Sequence, residues 1–195
     1  MASGKAITTE TLLGVAIDLI SEKGYKGVTT VEIASKAGVS EKTLFRHFGS
    51  KQNLLETAFE RFHYTEDMST LFNEKIVWEL QADLELISRT YHNIMNRNRK
   101  TIMISIKEGE NLPLLKEKLQ KPPEFLFKRL SNYFQEMFEK GKITRSHAED
   151  LAFSFMAMNY GAFLNNLDSN STFGAVTLET FINESVHTFA RAVTP

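Results

Sequence analysis

Four polar side chains fall within seven residues, Ser40, Lys42, Thr43 and Arg46, and bring hydroxyls, an ammonium and a guanidinium to one short segment. Groups of this kind donate hydrogen bonds to phosphate oxygens and to the acceptor edges of bases in a major groove. That chemistry needs a rigid support, because a base edge is read only by a side chain whose position is fixed. Leu44 and Phe48, four residues apart, supply the inner face of a helix that would hold Lys42, Thr43 and Arg46 outward.

The preceding residues provide the rest of that support. Thr29 followed by Glu32 is a capping-box pattern, and the helix it opens carries Ile33, Ala34 and Ala37 on one inward face. Gly38 supplies the left-handed residue that ends a helix without a Cβ clash, Val39 plugs the turn, and Ser40 is an N-cap for the next helix. Two short helices joined in this way form a helix-turn-helix, whose second helix docks on the first and offers its N-terminal residues to the groove. A plain helical hairpin with a solvated face is the alternative. Agreement between the caps, the small residues at the crossing, the turn and the basic face favours a DNA-binding protein.

Charge is distributed in keeping with this. The net charge of the 195 residues is −1, but residues 1–51 carry +2 and the remainder −3. A weakly basic head on an acidic body suits modest attraction to phosphates, with specificity left to base contacts and dimerisation. It does not suit a histone-like coat. Hydrophobic residues at 42% are enough for a proper core. The absence of cysteine excludes disulfides, thiolate metal sites and a cysteine nucleophile. No apolar run approaches the roughly 18 residues of a membrane span, and residues 1–4 read as a loose leader without a signal-peptide core. A cytoplasmic location is the expectation.

Helical periodicity runs through almost every segment, so the expected fold is all-α: a three-helix head, residues 1–50, on a larger helical body, residues 51–195. The first helix is expected to start at Thr8 or Thr9 and to end at Gly24. Ser50 is expected to cap a helix running to about Glu66, with the polar stretch Thr65–Thr70 as a hinge. Helices are expected near 80–96 and 98–109, with a further turn opened by Pro113. Pro122 and Pro123 then mark a fresh helix start that ends at Gly141. Ser146 should cap a Phe- and Met-rich helix to about Leu167, residues 168–174 form a loop by composition, and the last helix spans about Thr177 to Ala192.

The segment from Gly24 to Leu55 resembles the DNA-binding head of the TetR family of transcriptional regulators. The resemblance lies in Gly24-Tyr25, Val28–Ala34, Ala37–Ser40, Leu44–Phe48 and Ser50–Leu55. It implies that Thr29 and Thr30 meet phosphate, that Ser40, Lys42, Thr43 and Arg46 lie along the groove-facing side, and that His47 and Lys51 approach the backbone. Phe45 is counted with these DNA-binding residues but departs from the family's frequent tyrosine; lacking the phenol oxygen it cannot donate to phosphate, and a packing role is expected there.

The resemblance also implies a homodimer on an inverted-repeat operator, released when a small molecule enters the body. The last two helices are the expected dimer contact, through Met158, Gly161, Ala162 and Asn165 on one and Phe181, Ser185, Thr188 and Phe189 on the other. Tyr91, Met95, Met103, Phe127 and Phe134, with Met137, Phe155, Met156 and Asn159, are the candidate pocket, adaptable and mainly apolar. An apolar or amphipathic effector is therefore expected, and repression is the family's usual mode. The alternative is a ligand-blind architectural or partner-recruited DNA-binding protein.

An enzyme is not expected. His63, His92, His147 and His187 are scattered without metal-ligand spacing, Glu108 and Glu110 fall on different helix faces, and the paired Glu-x-x-His motifs of a di-metal bundle are absent. No catalytic residue, metal or cofactor is expected.

Overall fold

The computed structural model describes residues 2–60, 64–109, 113–144, 147–167 and 174–195, and every regular element among them is a helix. The chain divides into two compact units. One comprises Met1–His63 with Asn98–Gln120; the other comprises Tyr64–Arg97 with Lys121–Pro195.

The first unit contains α1 (Ala2–Lys23), α2 (Thr30–Lys36), α3 (Glu41–Phe48), α4 (Lys51–Glu60) and α7 (Arg99–Glu108). α1 begins at Ala2, before the expected Thr8 or Thr9. Its Leu12, Ala16, Leu19 and Ile20 bury against Ile33 and Ala34 of α2, Leu44 of α3 and Leu54 and Leu55 of α4. Each large aliphatic side chain removed from water in this way contributes about 1.5–3 kcal/mol before entropic costs. Ile104 of α7 joins the same core, and Lys100 Nζ meets Asp18 Oδ1 at 2.6 Å. The expected head boundary at residue 50 thus falls inside this unit. The N-terminal helices need Leu54, Leu55 and Phe59 of α4 and Ile104 of α7 to complete their core.

The second unit contains α5 (Tyr64–Glu74), α6 (Leu80–Arg97) and α9 (Ala148–Leu164), followed by α10 (Leu178–Thr180), a π-helical segment (Phe181–Val186) and α11 (His187–Val193). The stretch Thr65–Thr70, expected to be a hinge, lies within α5. Glu66 and Asp67 occupy its first turn, where acids favour a helix start, and Met68 and Leu71 anchor it in the core. α6 buries Leu84, Ile87, Tyr91, Ile94 and Met95. Thr177 opens the C-terminal stretch with a reciprocal capping box to Thr180. The expected cap at Ser146, and residues 168–173 of the expected loop, lie outside the described residues.

α8 (Pro113–Glu139) corrects the expectation of a fresh start at the double proline, for it runs through Pro122 and Pro123. Proline keeps a helical φ but removes one amide donor and crowds the carbonyl four residues back. Leu126, Leu130, Tyr133, Phe134 and Met137 are all buried in the following turns, and this anchorage offsets the lost bonds. The division between the two units nevertheless falls immediately before the prolines, at Gln120–Lys121. Gly141, at φ 67, ends the helix with Lys142 N donating to Met137 O.

One corner of this unit is strained. Trp78 holds φ 62, a conformation that costs a bulky residue of order 1–3 kcal/mol. It is retained because Tyr133 stacks on its ring at 5.7 Å, Lys140 Nζ sits 4.3 Å from the ring centroid, and Lys142 Nζ donates to its carbonyl at 2.6 Å. The buried Asp83 secures the same corner, accepting from Val77 N and from Tyr133 Oη, each at 2.9 Å.

Candidate nucleic-acid interface

The turn between α2 and α3 is a complete Schellman motif. Gly38 N donates to Ser35 O at 3.1 Å and Val39 N to Ala34 O at 2.9 Å, with Gly38 at φ 71. Caps on either side fix the two helix starts. Thr29 Oγ1 accepts from Glu32 N at 3.1 Å, and Ser40 Oγ accepts from Thr43 N at 3.2 Å. The Glu32 carboxylate pairs with Lys23 of α1, and the arm of the expected capping box that is made is the one from the Glu32 amide to Thr29. That pairing holds Glu32 below and Lys23 above their ordinary pKa values.

α3 is anchored by Leu44 and Phe48, both buried, and leaves Lys42, Phe45 and Arg46 exposed with Thr43 half-buried. The hydroxyl of Thr30 donates to Glu41 Oε1 at 2.5 Å, tying the start of α2 to the start of α3. Thr29 keeps its hydroxyl proton available, since the oxygen serves the cap as an acceptor. His47 lies 3.3 Å through Nδ1 from Thr9 Oγ1, a contact that ties the end of α3 to α1.

Two further residues of the expected set have their own surroundings. Lys51 Nζ donates to Tyr25 O at 2.7 Å and Val28 O at 2.6 Å and lies 4.1 Å from the Tyr25 ring centroid. Burial holds its pKa below the ordinary lysine value, against the opposing pull of Glu108. Its ammonium is thus committed to the α1–α2 loop, a role that competes with the expected phosphate contact. Phe45, expected to pack, is 45% exposed, because the inner face of α3 is already filled by Leu44 and Phe48.

Sequence reasoning missed Glu108. From the end of α7, Glu108 Oε1 accepts from Tyr25 N at 3.1 Å, across 83 positions of sequence. No local signal announces such a contact.

In the body, the candidate pocket residues separate into groups. Phe134, Met137 and Phe155 are buried, and Phe134 and Phe155 meet Phe189 at 6.1 and 5.5 Å between ring centroids. Tyr91 meets Tyr64 and His92 edge-on, and His92 meets Phe181. Burial drives the phenols of Tyr64 and Tyr91 well above their ordinary pKa. Asn159 is buried, accepts from Ser88 Oγ at 2.5 Å and donates to Phe155 O at 2.9 Å. Phe127, Met156 and Met95 also belong to this unit, the first two half-buried. Met103 stands apart, since it belongs to the first unit.

The expected dimer residues also separate into groups. Phe181 and Ala162 are buried within their own chain, and Phe189 joins the aromatic cluster with Phe134 and Phe155. Gly161, Met158 and Ser185 are half-buried, while Asn165 and Thr188 are exposed. The apolar side chains that α9 does expose are Phe153, Tyr160 and Leu164, with Ala157 on the same face. Their 4-3-4 spacing is a helical stripe that was readable in the sequence.

Among the described residues, no group of three His, Cys, Asp or Glu could hold a metal ion, and no helix is long and apolar enough to cross a membrane.

The model of the bacterial regulatory proteins of the tetR family matches residues 12–58, the segment that holds the turn and the polar face. Across 186 residues the chain is 29% identical to the uncharacterized HTH-type transcriptional regulator YvkB of Bacillus subtilis (strain 168), covering 95% of this chain and 97% of that one. It is 30% identical over 135 residues to the nucleoid occlusion factor SlmA of Vibrio campbellii (strain ATCC BAA-1116), covering 69% of this chain and 67% of that one. The fold matches the crystal structure of AibR in complex with isovaleryl coenzyme A and operator DNA with a TM-score of 0.66 at 20% identity, covering 93% of this chain and 97% of that one. Fold and site together define a helix-turn-helix transcriptional regulator. Within that class, the chain belongs to the TetR family, a family of regulators rather than enzymes.

Proposed function

We propose that this protein is a cytoplasmic repressor that binds an inverted-repeat operator as a homodimer and is released by a small apolar or amphipathic molecule. The observation that carries the DNA-binding part is the outer face of α3. Lys42, Thr43 and Arg46 stand on a helix whose start is capped by Ser40 and whose inner face is locked by Leu44 and Phe48. Lys42 and Thr43, near the N-terminus of that helix, are assigned to base edges. Arg46 reaches a base or phosphate, while Thr29, Thr30 and His47 position the head on the backbone.

A second copy of the chain on the exposed α9 stripe supports the dimer, with Met158, Gly161 and Asn165 flanking it. Two-fold symmetry places one recognition helix in each half-site, about one DNA turn apart. Support for an effector comes from the Met- and Phe-rich body and from the small-molecule complex of AibR. The buried Ser88–Asn159 pair offers a polar point within a largely apolar interior, which suits an amphipathic ligand.

A second reading is favoured by one observation. SlmA, 30% identical, is a nucleoid occlusion factor, which suits a partner-recruited or architectural DNA binder that senses no ligand. The deciding experiment selects the bound sequence from random duplex and then screens apolar, acyl and aromatic compounds. Regulation by ligand requires hits that both raise the melting temperature and loosen the operator complex, because a ligand shifts the equilibrium only through its differential affinity. Coupling of about 1–3 kcal/mol corresponds to roughly 5- to 150-fold weaker operator binding. Stabilising hits that never loosen the complex would establish the second reading, and equal affinity for random and selected duplex would overturn sequence-specific regulation.

A further inference from the structure

We propose that Phe45 reads the C5-methyl group of a thymine in each operator half-site. The inference rests on the operator-binding reading above and assigns a chemical target to one residue within it. On α3, two phenylalanines three residues apart have opposite fates. Phe48 is 8% exposed and packs in the head, whereas Phe45 is 45% exposed on a face otherwise made of polar groups. Lys42, one turn before it, and Arg46, the next residue, are also exposed. Glu41, four residues before it, has its carboxylate engaged by Thr30. The ring therefore stands beside the side chains assigned to the groove.

The chemistry of the ring narrows what it recognises. A phenyl group has neither donor nor acceptor for a base edge and offers no hydrogen bond to a phosphate. The base edges of the major groove present one apolar group, the thymine methyl. Covering that methyl with the ring removes two apolar surfaces from water together, which is the favourable direction for both. Cytosine at the same place carries only a hydrogen at C5, so the methyl contact is lost and the ring discriminates as well as attracts. Packing against a deoxyribose would cover the ring equally but carry no sequence information, and the test separates the two.

The operator selected by the full-length protein is synthesised with each thymine replaced singly by deoxyuridine, which deletes only the methyl. These duplexes are titrated with the wild-type protein, Phe45→Ala and Phe45→Tyr. One thymine per half-site is expected at which deoxyuridine weakens the wild type about fourfold, the change for burial of one methyl group, and about 15-fold when both half-sites carry it. Phe45→Tyr keeps this penalty, and Phe45→Ala loses it there while keeping any penalty elsewhere. A wild-type scan in which no thymine methyl matters overturns the inference, and that result needs no variant to fold. A penalty unchanged in Phe45→Ala overturns it as well. In either case a specifically bound operator leaves the regulatory reading standing, whereas a protein that prefers no sequence ends both.

Discussion

Glu108, at the end of α7, accepts the backbone amide of Tyr25 at 3.1 Å, while Lys51 of α4 grips the carbonyls of Tyr25 and Val28 at 2.7 and 2.6 Å. The loop that leads into the Thr29 cap is thus clamped by an anion on its donor side and a cation on its acceptor side. Gly24 precedes it at φ 75, and a Cβ there would stand 3.2 Å from the Glu108 carboxylate. α2 starts where these side chains set it.

Removing the anion should loosen that start. Glu108→Ala leaves the part-buried Tyr25 amide without this acceptor, and a hydrogen bond to a charged group is worth about 1.5–3 kcal/mol. The expected result is a lower denaturation midpoint together with weaker operator binding. Glu108→Gln keeps an acceptor oxygen and should recover most of both. Identical losses for Ala and Gln, followed by denaturant titration and operator binding, would show that charge and not the amide bond matters.

Gly38 tests the turn through its backbone alone. A Cβ built there meets no atom within 4 Å, so the cost of substitution comes from φ 71 and not from crowding. Gly38→Val should lose about 1–3 kcal/mol of stability and most operator affinity, since a β-branched residue resists the left-handed region. Gly38→Asn, which tolerates that region, should lose far less. Equal losses in thermal melts and binding would deny the backbone origin.

Lys42 and Arg46 should divide the labour of binding. Lys42→Ala is expected to cost about 1–3 kcal/mol and to relax preference at one operator position. If Arg46 grips phosphate, Arg46→Ala weakens all sequences alike and lowers the slope of log affinity against log salt by about one. Titrations against single-base variants at several salt concentrations distinguish the roles, and an unchanged profile for Lys42→Ala would remove that residue from the readout.

How much of this was legible depends on the range of the interactions concerned. Thr29, Gly38 and Ser40 act on amides and carbonyls a few residues away, so the turn and both caps could be read from residue types and spacing. The Glu108–Tyr25 contact joins positions 83 apart and leaves no local trace. α9 is harder to read for a different reason: it is apolar on both faces, with Phe155 and Phe163 buried and Phe153 and Leu164 exposed, so periodicity alone does not choose its inward side. Small residues at 161 and 162 suggested a close approach, yet Ala162 packs within its own chain. Pro122 and Pro123 signalled a boundary that appears in the division of the units but not in the helix, because the burial that follows outweighs two lost amides.

The Arg89–Glu179 pair gives a pH signature. Arg89 Nη1 and Nη2 donate to Glu179 Oε2 and Oε1 at 2.7 and 2.8 Å, and Asn183 adds a contact at 3.2 Å. The Arg89 hydrogen bonds chiefly hold the Glu179 carboxyl down at about 2, below its usual 4.5. A depressed folded-state value means the contribution is fully present above pH 4.5 and is lost as pH falls through about 2. Solvent exposure keeps that contribution small. The melting temperature of the wild type should exceed that of Glu179→Gln at neutral pH, and the difference should vanish toward pH 2; a difference that grows on acidification would reverse the assignment.

The α9 stripe carries the last prediction. Phe153 is 67% exposed, and Tyr160 and Leu164 are about 40% exposed on the same face, an arrangement that leaves much apolar surface in water in a single chain. If a second copy covers it, charge placed there should act on assembly and not on the fold. Substitution at an exposed position away from special features usually changes stability by no more than about 0.5 kcal/mol. Phe153→Glu and Leu164→Glu should therefore remain helical, sediment as monomers at concentrations where the wild type sediments as a dimer, and lose operator affinity by the factor that bivalency supplies, on the order of 100-fold or more. Phe189→Glu provides the contrast. Its half-buried ring packs against the buried Phe134 and Phe155, so a charge there should destabilise the body before it alters any interface. Dimeric Phe153→Glu with full operator affinity would place the contact between copies on another face.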